Sequence, residues 1–393
     1  MSQPSDTSFN PPVRTLLGPG PSNVHPRVSQ AMAAPVVGHL DPVFLEIMDR
    51  TMALLRETFQ TSNELTIPIS GTGSAGMEAA IASLVEPGDT IVVGVNGLFG
   101  QRMVDVAERY GANVVTVEAE WGQPLNPGAV REALAKAGSP KLLAVVHVET
   151  STGVIQPLPD LAAAAHDVGA LFLVDAVTSL GGSNLSVDEW GIDVCYSGTQ
   201  KCLGVPPGLA PITLSETARE TLHRRSTKVQ SWYLDLSMIE NYWGEGRAYH
   251  HTAPISMIYA LHEGLRLIHE EGLEPRFARH RRNSTALRSG LDALGLSLVV
   301  PEQFRSDPLT TVYIPGGADD TTTRRDLLER HGIEIGGGLG PFRGRIWRIG
   351  LMGHSSSAAN VLFFLTALSD VLASQGLELP VDGAVARAAT ALR

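Results

Sequence analysis

The sequence predicts an α/β protein with a mostly parallel sheet between helices in a large domain, followed by a smaller α+β domain. Between residues 65 and 215, short β-branched runs alternate with helical stretches, which is typical of parallel strands joined by crossover helices. These apolar runs are nearly continuous rather than alternating, as expected of strands buried on both faces. The chain of 393 residues, 43% of them hydrophobic, is long enough to form two or three domains.

The individual elements of the large domain follow from these runs. Six near-continuous apolar runs are expected to be strands, at 65–69, 90–95, 113–117, 142–148, 171–174 and 194–197. Segments rich in Ala, Leu and charged residues at helical spacing predict helices between them, at 74–85, 100–110, 127–137 and 160–168.

The remaining segments predict an arm and a second domain. The Pro- and Gly-rich stretch 16–26 indicates a turn-forming arm. A long helix or helix pair is expected over 253–288. It is followed by strands of a smaller sheet and a closing helix, at 296–300, 310–314, 345–349 and 358–372. The chain thus divides into an N-terminal arm (1–25), a large domain (26–275) and a small C-terminal domain (276–393).

Composition excludes several classes of protein. The formal net charge is -11 and nothing resembles a basic stripe, so we expect no nucleic-acid partner. No run reaches the length of a membrane span, and the first twelve residues lack a basic start and an apolar stretch. We therefore expect a cytoplasmic protein without a membrane partner. The two cysteines, Cys195 and Cys202, are expected to be reduced.

An aspartate and a lysine stand at the ends of two predicted neighbouring strands. Asp175 ends the run LFLVD, and Lys201 follows 26 residues later in the turn after VCYSG. Since parallel strands present their carboxyl ends on one edge, both residues can reach one crevice. Pyridoxal phosphate needs such a pair: an amine for a Schiff base and a carboxylate against the pyridine nitrogen. Alone, the aspartate could be a turn residue and the lysine a surface residue.

The segment GTGSAG at 71–76 predicts an anion site and leaves a second function open. It matches G-x-G-x-x-G between an apparent strand and a helix, which would suit a dinucleotide-binding oxidoreductase that uses NAD(P). That alternative needs an acidic residue after the next strand, where Asn96 and Gly97 stand. Backbone amides around Thr72, Gly73 and Ser74 could bind a phosphate in either case.

Eight motifs, in order, resemble a known family over almost the whole chain. They are LLGPGPSNVHP, SGTGSAGMEAA, GVNGLFGQR, ETSTGVIQPL, LVDAVTSLGG, YSGTQKCLGVPPG, YHHTAP and WRIGLMG. The chain resembles class V, fold-type I aminotransferases of the alanine-glyoxylate and serine-glyoxylate group. The resemblance implies the pyridoxal-phosphate transferase fold with a seven-stranded sheet, and a homodimer with shared active sites.

The resemblance also implies the roles of individual residues. Lys201 would carry the cofactor and, with Asp175 on the ring nitrogen, would be catalytic. Val177 and Phe99 would cover the two ring faces. The phosphate would be held by Thr72, Gly73, Ser74 and Gln200, with Tyr249 and Thr252 reaching it from the partner subunit. Ser151 would donate near the cofactor oxygen. Two positions depart from the pattern, because Phe99 stands where tryptophan is common and Ser74 where some members have histidine.

The resemblance implies that Arg348 binds the substrate carboxylate and that Ser151 donates to this carboxylate or to the cofactor oxygen. A solvated basic edge formed with Arg343 and Arg345 is the alternative, but Arg348 lies between apolar residues in RIWRIGL, where an enclosed guanidinium needs an anion. We assign no metal, because neighbouring His250 and His251 should point opposite ways in an extended segment.

The expected reaction transfers an amino group from a small amino acid to glyoxylate, giving glycine and a 2-oxo acid. Alanine is the preferred donor. Serine–glyoxylate or serine–pyruvate transamination, or the reaction of another class V aminotransferase, stays open, as does an NAD(P)-binding oxidoreductase of a different class.

Overall fold

The computed structural model describes residues 11–377 and 379–393. Its large sheet has seven strands: β2 (Leu65–Ser70), β3 (Thr90–Val95), β4 (Asn113–Glu118), β5 (Leu142–Val146), β6 (Leu171–Asp175), β7 (Val194–Tyr196) and β8 (Leu209–Leu214). The strand order is β2-β8-β7-β6-β5-β3-β4, and only β8 runs against the other strands. This confirms the predicted seven-stranded, mostly parallel sheet.

In the described part of the chain, eleven α-helices precede the last strand, and several of them pack on the strands of the large sheet. They are α1 (Pro26–Met32), α2 (Pro42–Phe59), α3 (Gly73–Leu84), α4 (Leu98–Arg109), α5 (Pro127–Ala137), α6 (Pro159–His166), α7 (Glu216–His223), α8 (Leu236–Trp243), α9 (Ile255–Glu271), α10 (Leu273–Ala293) and α11 (Asp320–His331). The predicted helix or helix pair is a pair, because Gly272 separates α9 from α10 at φ +84°.

A smaller antiparallel sheet of three strands lies after α10. Its strands are β9 (Leu309–Tyr313), β11 (Gly336–Gly337) and β12 (Ile346–Gly350), in the order β11-β12-β9, and α12 (Ala358–Ala373) and α13 (Val381–Ala391) follow. The predicted strand at 296–300 is wrong as a full strand. The structure has only one bridge there, between Leu298 and Val312, and Pro301 ends the pairing because it lacks an N–H.

The N-terminal arm is attached to the C-terminal part of the chain. Strand β1 (Thr15–Leu16) pairs in parallel with β10 (Ile333–Glu334), and the Gly350 amide donates to the Leu17 carbonyl at 2.8 Å. Leu17 is fully buried and belongs to the hydrophobic cluster of the smaller sheet, whereas a separate cluster surrounds the large sheet. The predicted boundary between residues 275 and 276 falls in the first turn of α10, and the division into domains stays a prediction.

Two structural observations bear on the excluded classes. Among the described residues, no helix combines the length and the apolarity that crossing a membrane would require. In the same part of the chain, no three His, Cys, Asp or Glu side chains group as metal ligands.

Candidate active site

The carboxyl ends of five strands meet along one edge of the large sheet. Strand β2 leads into α3, β3 leads into α4, β5 leads into the ETSTG turn, β6 ends at Asp175, and β7 leads into the loop of Lys201. Because these strands run in one direction, the segments after them are brought together. The predicted crevice therefore forms at this edge.

Asp175 is the last residue of β6 and is 3% exposed. Its carboxylate accepts hydrogen bonds from the Val177 amide and the Tyr196 hydroxyl, both at 2.8 Å. Burial raises the pKa of Asp175 to about 6, although these hydrogen bonds and Lys201 oppose the rise. Tyr196 thus fixes one carboxylate oxygen of Asp175, and this role of Tyr196 was not predicted from the sequence.

Lys201 is 7% exposed, and its amine donates to the carbonyl oxygen of Pro19 in the N-terminal arm. Burial lowers the pKa of Lys201 to about 8, and the positive charge of Arg348 lowers it further. Gly20 makes this contact possible: its φ is +110°, and a Cβ there would lie 2.5 Å from Cδ of Lys201. The arm therefore touches the predicted catalytic amine, which the sequence did not reveal.

The start of α3 offers free backbone amides for an anion. Thr72 is the N-cap but makes no side-chain capping bond, and Thr72 and Ser74 are exposed around the buried Gly73. A Cβ at Gly73 would lie 2.9 Å from Cγ2 of Val177, so only glycine fits where the start of α3 approaches Val177.

Gln200 has a buried side-chain atom without a partner near this helix. Its Oε1 makes no hydrogen bond in the described part of the chain, and it lies 3.0 Å from where a Cβ of Gly198 would be. A buried amide oxygen of this kind needs a donor. The same Cβ position would lie 3.3 Å from the Gly73 backbone, so Gln200 is close to the first amides of α3.

Phe99 and Ser151 are joined through a buried carboxylate. Phe99 is half-buried in the first turn of α4, with the Arg102 guanidinium 5.2 Å from the ring centre. Ser151 donates its hydroxyl proton to Glu149 at 2.6 Å and accepts from the Leu98 amide at 3.0 Å. Glu149 was not predicted from the sequence, although its position as a charged residue directly after the apolar run LLAVVHV indicated a buried carboxylate.

Arg348 lies in the middle of β12 and is 7% exposed, whereas Arg343 and Arg345 are exposed. Its Nε donates to the Gly337 carbonyl at 2.7 Å and its Nη1 to the Thr150 carbonyl at 3.1 Å. Burial lowers the pKa of Arg348 to about 10. Among the described residues no carboxylate pairs with it directly and nothing bonds to Nη2, so the guanidinium can receive an anion.

Tyr249 and Thr252 are not brought into this crevice by their own chain. Tyr249 is 61% exposed, Thr252 is also exposed, and their hydroxyl oxygens lie 3.5 Å apart. The Tyr249 ring stands 5.2 Å from His39. Within the described chain, no hydrogen bond connects either residue to the surroundings of Lys201.

The expected divergence of His250 and His251 is wrong. Their Nδ1 atoms lie 2.8 Å apart, because the chain bends at His251 instead of continuing extended. The other ring nitrogens contact the Trp232 carbonyl at 3.1 Å and the Ser70 hydroxyl at 2.7 Å, so all four ring nitrogens have neighbours. The two rings form a structural pair.

Both cysteines are buried free thiols in the structure, as predicted. Cys202 donates to the Thr178 carbonyl at 3.3 Å, and burial raises its pKa to about 12. A thiol held in this way is a packing group rather than a nucleophile.

Together, a buried amine, a buried carboxylate and free amides at a helix start define a cofactor site on an α/β fold. The family model described as "Aminotransferase class-V" matches residues 18–340, and the chain belongs to this family. It is an aminotransferase, and its cofactor is pyridoxal phosphate. The residues fit this group, since in the described part of the chain the first amides of α3 have no hydrogen-bond partner where a phosphate would bind. Membership of the aminotransferase family excludes the dinucleotide-binding alternative.

Named relatives and solved structures agree with this assignment. The chain is 46% identical to "(S)-ureidoglycine--glyoxylate transaminase" of Bacillus subtilis, over 92% of this chain and 91% of that protein. It is 44% identical to alanine–glyoxylate aminotransferase of Callithrix jacchus, over 92% and 88%. The crystal structure of alanine–glyoxylate aminotransferase from Nostoc sp. matches with a TM-score of 0.92 at 50% identity, covering 95% of this chain and 100% of that one.

Proposed function

We propose that the protein transfers the amino group of a small amino acid, with alanine as the preferred donor, to glyoxylate, giving glycine and a 2-oxo acid. One observation carries the proposal: Lys201, Asp175 and Arg348 are all buried, and the charges of Asp175 and Arg348 both act on the amine of Lys201. The names of the three relatives above all contain glyoxylate, which supports glyoxylate as the acceptor of the amino group.

The cofactor residues would act as a set around one ring. Pyridoxal phosphate, when bound, supplies an aldehyde for an amine and a ring that takes up electron density from the substrate Cα. Lys201 would hold the aldehyde covalently, and Asp175 would hold a proton on the ring nitrogen. Phe99 and Val177 would cover the two ring faces.

The phosphate would bind at the start of α3. The amides of Thr72, Gly73 and Ser74 point to one anion, and the helix dipole favours it. The side chain of Gln200 would donate to the same phosphate through its amide nitrogen. Ser151 would act indirectly, since its own proton is held by Glu149.

Lys201 would also move the substrate proton. Its neutral amine would accept the proton from the substrate Cα and hold it within the site. A pKa of about 8 leaves far more neutral amine near pH 7 than an ordinary lysine has. Pro19, which accepts from this amine, gives it a fixed resting position.

Arg348 would bind the carboxylate of donor and acceptor in turn. Its two bonds to backbone carbonyls fix the guanidinium plane, and Nη2 stays free for the substrate. Charge-assisted bonds of this kind are the strong ones in a buried site. A single clamp suits amino and oxo acids with one carboxylate.

A homodimer with shared sites is part of the proposal. Tyr249 and Thr252 are exposed on their own chain, near the exposed aromatic residues Trp232 and Tyr233, which is what residues reaching into a partner's site require. The cytoplasmic location stays a prediction.

The donor is the part of the proposal that an assay decides. Purified protein loaded with cofactor is tested with alanine, serine and ureidoglycine against glyoxylate and pyruvate. Ureidoglycine is included because the Bacillus subtilis relative is named for it. Highest kcat/KM with alanine and glyoxylate supports the proposal; turnover with ureidoglycine alone, or no turnover of glyoxylate, contradicts it.

A further inference from the structure

Glu149 is a fully buried carboxylate at the edge of the sheet where the crevice lies. One oxygen, Oε1, accepts from the Ser151 amide at 2.9 Å and from the Ser151 hydroxyl at 2.6 Å. The other, Oε2, accepts from the Phe99 amide at 3.1 Å. Both oxygens are therefore committed to residues of the cofactor site.

The hydrogen-bond partners of Glu149 and its burial act in opposite directions. The Ser151 amide, the Ser151 hydroxyl and the Phe99 amide donate to its carboxylate, and these bonds favour the ionised form. The oxygen that accepts from Phe99 lies at the start of α4, where the helix dipole also favours an anion. Burial is the larger effect and raises the pKa of Glu149, whereas the hydrogen bonds from Ser151 and Phe99 oppose this rise.

The carboxylate joins the turn after β5 to the start of α4. Ser151 accepts from the Leu98 amide at 3.0 Å and Glu149 from the Phe99 amide at 3.1 Å, so two amides at the start of α4 donate to the turn after β5. A Cβ at Gly97 would lie 2.3 Å from Cγ of Glu149, so glycine is needed for this close approach. Moving the carboxylate would move Phe99, which covers one face of the proposed ring site.

Glu149 also acts on the two cations of the crevice. Arg348 binds the carbonyl of Thr150, the next residue along, at 3.1 Å. The negative charge of Glu149 raises the pKa of Arg348 and of Lys201, against the lowering by burial in both cases. Within the described chain, the other charged or titratable groups acting on Lys201 are Asp175, Arg348 and Cys202.

We propose that Glu149 is a positioning residue of the cofactor site: its carboxylate holds the Phe99 amide and Ser151 in place, and its negative charge acts on Lys201 and Arg348. The inference rests on the proposed function, because it assumes that Phe99 and Lys201 contact the cofactor. It assigns a role to a residue that touches neither substrate nor cofactor.

Three variants separate geometry from charge. Glu149→Gln keeps the shape, removes the charge and turns an NH₂ group toward an existing donor. Glu149→Asp keeps the charge but shortens the side chain. Glu118→Gln, at the exposed end of β4 on the same sheet edge, is the matched control.

The first readout is equilibrium binding of pyridoxal phosphate to the apoprotein, measured by dialysis. Glu149→Gln and Glu149→Asp are expected to bind roughly 10- to 100-fold more weakly, the effect of losing a hydrogen bond to a charged group. Glu118→Gln should bind as the wild type does.

The second readout is the pH at which the amine of Lys201 becomes reactive in the apoprotein, measured by acylation and mass spectrometry. Glu149→Gln should shift this midpoint to lower pH, because a lost negative charge makes the protonated amine less favourable. Glu149→Asp should keep the wild-type midpoint, which a loss of packing alone would not explain.

The outcomes distinguish the two proposals. Wild-type protein that fails to bind pyridoxal phosphate contradicts the proposed function. Wild-type binding together with unchanged affinity in Glu149→Asp, or an unchanged Lys201 midpoint in folded Glu149→Gln, overturns the role of Glu149. If Glu149→Gln does not fold, the affinity of Glu149→Asp decides.

Discussion

Lys201 is an amine whose environment changes its chemistry. Burial, and secondarily Arg348, lower its pKa to about 8. Only the neutral amine can attack an aldehyde, so the rate of cofactor capture by the apoprotein should rise with pH, reach half its maximum near pH 8 and level off above it. Stopped-flow absorbance after mixing with pyridoxal phosphate measures this rate.

The control for this prediction is a small lysine derivative free in solution. Its rate should still be rising at pH 9, because an ordinary lysine titrates near pH 10.4. In Arg348→Ala, the levelling-off should move to higher pH, since a neighbouring positive charge is gone. A protein curve that follows the free amine would contradict the buried environment of Lys201.

Arg348→Ala should raise the KM of both glyoxylate and the amino donor by roughly 10- to 100-fold, as expected for a lost charge-assisted carboxylate contact. Steady-state kinetics on the purified variant provides the test. Arg345→Ala, exposed on the adjoining turn, is the control and should change neither value. Unchanged KM values in Arg348→Ala would remove it from the site.

At the residue scale, the sequence indicated the side chains with distinctive chemistry but not the residues that hold them in place. Lys201, Asp175 and Arg348 were predictable because charged groups in apolar surroundings need a reason. Tyr196, Glu149 and the Pro19 carbonyl were not predicted, since their roles arise from contacts between segments distant in sequence.

At the scale of elements, strand and helix periodicity gave most of the large sheet, and its one reversed strand was missed. Strand β8 contains Pro211 and follows Gly208, so its sequence looked like the continuation of the GVPPG turn. In the structure, the carbonyl of Pro211 accepts from the Ser197 amide at 2.7 Å, which integrates this proline into the sheet.

The N-terminal arm gives a prediction at the same scale. Gly20→Ala places a Cβ against Lys201 at a φ of +110°, so the variant should lose about 1–3 kcal/mol of folding free energy and bind cofactor more weakly. Thermal unfolding and dialysis measure the two effects. Gly18→Ala, whose nearest neighbour would be 3.7 Å away, should be close to wild type in both; equal behaviour of the two variants would contradict the contact.

At the scale of the whole molecule, the shared site of the proposed dimer can be tested by complementation. Lys201→Ala and Tyr249→Ala should each impair activity strongly as pure dimers. After the two are unfolded and refolded together, about one quarter of the sites should combine an intact Lys201 with the partner's intact Tyr249, if pairing is random. Activity assays before and after mixing measure the gain.

The control mixes Lys201→Ala with Asp175→Ala, both expected to serve the same site from the same chain. Each of the two sites of a mixed dimer would then carry one of the two changes, and no site would be intact. Recovery in this control, or none in the first mixture, would contradict a site completed by Tyr249 of the other subunit.

Because Pro19 contacts Lys201, a probe on the N-terminal arm could report cofactor binding. Val13 is 97% exposed and lies two residues before β1, so a cysteine introduced there could carry a fluorescent dye. The dye would be on the same arm as the Pro19 carbonyl, which the Lys201 amine must leave when it captures the cofactor. Loading of the enzyme could then be followed as a change in emission, without adding any substrate.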